Sequence, residues 1–121
     1  MRIISAIIFC VFLSGCMTNS EPVAVRLRDR LDAASEIRNL QSRDDALSHV
    51  AIDALSSDDA DVSYQALQAM GSVTLRDTTA SKCATHFESQ HDHASAEQFE
   101  TMIVSVSVRD SLNRKFAGEP K

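Results

Sequence analysis

The dipeptide Arg-Asp recurs with a spacing of 33 residues in this 121-residue chain, at Arg43-Asp44, Arg76-Asp77 and Arg109-Asp110. The positions six and three residues before each Arg, and seven and eight after it, carry matching residues: Ile37, Met70 and Ile103; Leu40, Val73 and Val106; Val50, Cys83 and Phe116; Ala51, Ala84 and Ala117. A period of this length predicts stacked units that bury their apolar faces only against one another.

Apolar residues within each copy recur with helical spacing. Leu47, Val50, Ala51 and Ala54 share one helical face, and a second apolar stripe follows in each unit. We therefore predict an all-α fold over residues 23–117, a short stack of about six helices in antiparallel hairpins. The first helix, from about Val23 to Ile37, is the second half of an incomplete unit.

Local motifs predict where these helices begin and end. Thr74-x-x-Asp77 and Ser107-x-x-Asp110 fit the capping box, which places helix starts at the Arg-Asp sites. Gly71 and Gly118 suit helix C-caps, where a left-handed residue is favoured. The alternation over residues 103–108 is typical of a strand, but the repeat predicts a helix end and a turn there.

At this level the chain resembles the tetratricopeptide-like and HEAT-like families of helical repeats, over roughly residues 23–117. The period is near that of tetratricopeptide repeats. The Trp, Gly-Tyr and Pro positions of the tetratricopeptide consensus are not filled, so the resemblance implies architecture and transfers no ligand-binding residue.

The N-terminal residues indicate a secretory signal. Arg2 precedes an apolar run over residues 3–13, which is too short to span a bilayer, and the stretch Leu13-Ser14-Gly15-Cys16 follows. An ordinary signal peptide that contains a cysteine is one interpretation. The stretch also resembles the lipobox of bacterial lipoproteins.

The lipobox resemblance implies a cleaved signal peptide over residues 1–15, acyl chains on Cys16 and a tether over residues 16–22. It also implies a periplasm-facing envelope protein, and Met17 in place of an aspartate favours the outer membrane. The helical repeat domain over residues 23–117 and a short tail, residues 118–121, complete the expected organisation.

Charge and cysteine content narrow the possible partners. The chain has a formal net charge of −5, which becomes −6 if Arg2 is removed with the signal peptide. An acidic domain is poorly suited to nucleic acid and has no general attraction to anionic lipid. Cys83 would be the one cysteine left after cleavage and lipidation, so no internal disulfide is expected, and its register predicts a core position.

Candidate chemistry is sparse. His86, His91 and His93 could contribute to a metal site, with Cys83, Glu88 and Asp92 nearby, but their spacing matches no strong metal motif and favours solvated histidines. Asp58, Asp59 and Asp61 lack the glycine and late glutamate of a calcium loop. The chain has no Gly-x-Ser-x-Gly turn, so we do not expect an enzyme, and a small hydrolase is the weakest hypothesis.

These features predict a non-catalytic binding module that needs no cofactor. We expect it to be held on the membrane through lipid at Cys16 and to bind another envelope protein or a peptide. The alternative is a periplasmic metal-binding lipoprotein that uses the histidine cluster.

Overall fold

The computed structural model describes residues 23–118 and confirms the all-α prediction. The described residues form six helices and no strand: α1 (Val23–Ser35), α2 (Leu40–Leu55), α3 (Ala60–Ala69), α4 (Val73–Ser89), α5 (His93–Glu100) and α6 (Val106–Phe116). The alternating segment 103–108 crosses the α5–α6 turn and the start of α6, as the repeat predicts.

The odd and even helices have different neighbours. Contacts join α2 to α4 and α4 to α6, so the even helices lie side by side along the stack. The odd helices pack against them, α1 and α3 on α2 and α5 on α4, and α1 also contacts α3. Helices α2–α3 and α4–α5 are therefore two complete hairpins, with a half-unit at each end.

Five helices begin at a side chain that accepts a hydrogen bond from a free backbone N–H three residues ahead. The N-cap residues are Asn39, Asp59, Ser72, Asp92 and Ser105. The Arg-Asp sites lie at the starts of the even helices, as predicted, because each Arg is the fourth helical residue, but the predicted cap residues are wrong. Ser72 and Ser105, rather than Thr74 and Ser107, cap α4 and α6.

The core follows the 33-residue register except at the C-terminal end. Val50 and Cys83 are buried, whereas Phe116 is half-buried and Ala117 is exposed. The predicted equivalence of these positions fails in the third copy because no described helix packs on the outer side of α6. The rings of Phe87 and Phe99 stack in parallel, 5.6 Å apart, and fix α5 on α4.

The two predicted glycine caps have different roles. Gly118 follows α6 with φ of +74°, the expected left-handed cap. Gly71 follows α3 without a positive φ, so that prediction is wrong for Gly71. A Cβ at Gly71 would lie 2.8 Å from Leu40 Cδ1, the end of a half-exposed leucine side chain, which could turn aside to make room for it.

Candidate protein-binding surface

The Arg-Asp repeat supplies buried carboxylates that join one unit to the next. Asp44 lies on α2 and accepts hydrogen bonds from the backbone N–H groups of Gly71 (3.0 Å) and Ser72 (2.7 Å), at the start of α4. Asp77 repeats this arrangement 33 residues later, with Val104 N–H at 3.2 Å and Ser105 N–H at 2.8 Å. Each aspartate therefore satisfies free donors at the start of the next even helix.

Both carboxylates have the environment that this role requires. Asp44 is 3% exposed and Asp77 is 2% exposed. A buried carboxylate is costly unless it accepts hydrogen bonds, and a helix N-terminus offers both free N–H groups and a favourable dipole. The capping-box pattern predicted these acids at their own helix starts and did not predict hydrogen bonds to residues 27 and 28 positions further along the chain. The signal in the sequence that pointed to this role was that the Arg-Asp dipeptide repeats with the same period as the units.

The third aspartate of the repeat has no such partner. Asp110 is exposed, and none of the described residues donates a hydrogen bond to its carboxylate. Its neighbour Arg109 folds back and donates from Nη2 to the carbonyl oxygen of Ile103 at 2.6 Å. The C-terminal end of the stack therefore presents a free carboxylate in the repeat register.

Apolar side chains are exposed at the first position of every even helix. Leu40, Val73 and Val106 have exposed fractions of 54%, 47% and 67%, and Val104 just before α6 has 60%. The first three are one repeat apart, so they form a row along one edge of the stack. We call Leu40, Val73 and Val106 the apolar row. Solvent-facing apolar residues grouped in this way are typical of an interaction surface.

A cleft of about 490 Å³ lies at the α2 end of this row, between the first turns of α2 and α4. Its lining residues are Leu40, Gln41, Asp44, Asp45, Ser72, Thr74, Leu75 and Thr78. The Asp44 carboxylate is already bonded to the start of α4, which leaves Asp45 as the free acid of the lining. The cleft therefore offers leucine and threonine surface beside one carboxylate.

The three histidines do not converge on one point. His86 Nε2 lies 2.8 Å from Asp58 Oδ1, and His93 Nδ1 lies 2.9 Å from Glu88 Oε2. The hydrogen bond and charge of Glu88 raise the pKa of His93 above its usual value. Within residues 23–118, no three His, Cys, Asp or Glu side chains are grouped so that they could hold a metal ion.

His91 has a structural role in a repeated turn. It has φ of +60°, and Asp58, one repeat earlier, has φ of +52°. In both turns the residue that follows, Asp59 or Asp92, donates its N–H to a carbonyl five residues back and then caps the next helix. This shared geometry explains why Asp58 and His91 are both polar residues of a type that adopts the left-handed conformation more readily than most.

The remaining candidate residues are engaged in the fold. Asp61 pairs with Arg28 at 2.8 Å and Asp53 with Arg30 at 2.6 Å, both at exposed positions. These ion pairs connect α1 to the hairpin α2–α3. Burial raises the pKa of the Cys83 thiol to about 12, so the thiol packs as a small apolar group at neutral pH.

Cys16 and the other residues of the predicted lipobox lie outside the described residues, and none of the described helices is long and apolar enough to cross a membrane. The chain matches no known protein family, no curated protein and no solved structure. A functional proposal must therefore rest on the surface of this chain.

Proposed function

We propose that this protein is a non-catalytic envelope lipoprotein whose helical stack binds another envelope protein or a peptide through the apolar row and the cleft beside it. The carrying observation is that the first residue of all three even helices is apolar and about half exposed or more. Stability does not require an apolar residue at a solvent-exposed helix start, where acids are favoured.

The cleft suggests the chemistry of the ligand. Leu40, Leu75 and the threonine methyl groups would take an apolar side chain, and the free Asp45 carboxylate would favour a nearby Lys, Arg or N–H donor. The acidic charge of the whole chain supports the same preference. The preferred partner segment is therefore apolar with at least one basic residue.

The proposed anchor is compatible with this surface. Residues 36–39 connect α1 to α2, so the start of α2 lies near the end of α1. Val23 is then at the opposite edge, because thirteen helical residues span about 20 Å. In a chain held at Cys16, the five residues 18–22 of the tether reach at most ~18 Å, which would keep the apolar row on the edge away from the membrane.

The test compares co-purification from detergent-solubilised envelope by the wild type and by the triple variant Leu40→Glu, Val73→Glu, Val106→Glu. Acids at these exposed first-turn positions should leave the melting temperature nearly unchanged and remove the partner. The matched control is Gln68→Glu, Gln98→Glu, Ser111→Glu, which adds the same charge at exposed positions away from the row. An identical set of co-purifying proteins for all three chains would contradict the proposal.

A further inference from the structure

Each end of the stack lacks a hydrogen-bond partner that the other end could supply, and the two positions match in the 33-residue repeat. At the C-terminal end, Asp110 has no helix start to bind among residues 23–118. At the N-terminal end, the start of α2 has no acid: no hydrogen bond among the described residues engages the backbone N–H of Arg38 or Asn39. Arg38 and Asn39 stand one period before Gly71 and Ser72, which Asp44 binds.

From this match we infer that the chain self-associates head to tail, with Asp110 of one copy bound to the N–H groups of Arg38 and Asn39 of the next. The half-units agree with this arrangement. The described part of the chain begins with an odd helix, α1, and ends with an even helix, α6. An α6 followed by the α1 of a second copy would complete a hairpin like α2–α3 and α4–α5.

Apolar residues at both ends occupy positions that the inner units bury. On α6, Phe116 is half-buried and Ala117 is exposed. Ala51 and Ala84, the equivalents of Ala117 in the earlier units, are fully buried. At the other end, Ala33 is exposed and Ile37 is half-buried. Their equivalents in the inner units are buried: Ala66, Phe99, Met70 and Ile103. Stacking would bury both sets together.

Polar residues lie within the same end faces and should weaken the contact between copies. Asn113 is exposed where the earlier units bury Leu47 and Ala80, and Arg30 is exposed where α3 buries Ser63. A contact that is less apolar than the unit boundaries inside the chain should be reversible and concentration-dependent. Because each copy offers two different faces, the contact does not close into a dimer, and a series of oligomers is expected.

Sedimentation velocity on the full chain in detergent micelles tests the inference directly. The wild type should show oligomers that grow with protein concentration. Asp110→Lys sets a cation against the positive end of a helix and should leave a monomer with an unchanged melting temperature, since Asp110 is exposed. Glu97→Lys makes the same charge change on the exposed surface of α5 and should behave as wild type.

Photo-crosslinking locates the contact. In the inner hairpin α2–α3 the Ser63 hydroxyl donates to the carbonyl of Ala51, and Arg30 and Ala117 are the register equivalents of these two residues. A benzophenone amino acid at Ala117, in a mixture of isotope-labelled and unlabelled chains, should therefore form cross-links between copies to residues 27–31, and Asp110→Lys should abolish them. The same probe at Gln98 should form no such cross-links. A monomer at every concentration, oligomers that Asp110→Lys leaves unchanged, or cross-links between copies at another face would each overturn the inference.

Discussion

The aspartates of the Arg-Asp repeat are either buried or exposed, depending on the position of their unit in the stack. Asp44 and Asp77 are buried and bonded to the start of the next even helix, whereas Asp110 is exposed with no described helix beyond it. The local sequence, Arg-Asp at the fourth and fifth positions of an even helix, is the same in all three copies. Their difference in burial therefore comes from the neighbouring unit.

The three aspartates provide a matched experiment on stability. Asp77→Ala should lower the free energy of unfolding by about 2–3 kcal/mol, because it leaves the N–H groups of Val104 and Ser105 without a charged acceptor. Asp110→Ala, in the same register, should change it by less than about 0.5 kcal/mol. Denaturant unfolding of dilute protein measures both, and equal losses would contradict the assigned role of Asp77.

The aspartate pairs also show what local sequence rules could not predict. The capping box is a local rule in which the acid follows the cap by three residues, and it placed Asp77 at the start of its own helix. In the structure Ser72 caps α4, with Leu75 three residues on, and the acid comes from Asp44 on the preceding even helix. A donor and acceptor 28 residues apart are recognisable only once the unit stacking is known.

At the scale of the elements, the repeat period predicted more than local propensity could. Periodicity alone made residues 103–108 resemble a strand, and the register with the preceding unit correctly assigned them to a helix end, a turn and a helix start. The predicted faces of α2 and α4 are buried as expected. The cleft and the apolar row were not predicted, because exposure at Leu40, Val73 and Val106 depends on how the units stack.

A charge on the inner face of α2 tests that register. Val50 is 2% exposed, so Val50→Asp would bury an unpaired carboxylate and cost several kcal/mol. For a helical domain of this length we expect the melting temperature to fall by about 10 °C or more in circular dichroism. His49→Asp, one residue earlier on the exposed face, is the control and should melt within a few degrees of wild type. Equal melting of the two variants would refute the assigned face.

At the scale of the whole molecule, the two edges and the two ends of the stack carry different kinds of residues. The edge at the starts of α2, α4 and α6 carries the apolar row, and the opposite edge carries the paired histidines and the repeated left-handed turns. The two ends carry half-units. A partner at the row and a second copy at the ends would contact different residues, so both could bind at the same time.

The proposed attachment to a membrane also belongs to the whole molecule. It rests on Leu13-Ser14-Gly15-Cys16 after a short apolar run, followed by a helical domain without a spanning helix in its described part. Each buried methylene contributes about 0.8 kcal/mol, so several acyl chains on one cysteine would hold the chain on a bilayer almost permanently. The helical domain itself would need no affinity for lipid.

Separate substitutions of Cys16 and Cys83 distinguish the proposed anchor from the fold. In a bacterial host labelled with a fatty-acid analogue, Cys16→Ser should lose the label and leave the membrane fraction, because serine has no thiol at the lipidation position and the Cys83 thiol is buried in the core. Cys83→Ala removes the buried core thiol and keeps the lipobox, so it should retain the label and the membrane location despite some loss of stability. Label on Cys16→Ser equal to wild type would refute the anchor. Release of Cys16→Ser as a folded, helical protein would show that the lipid positions the stack without stabilising it.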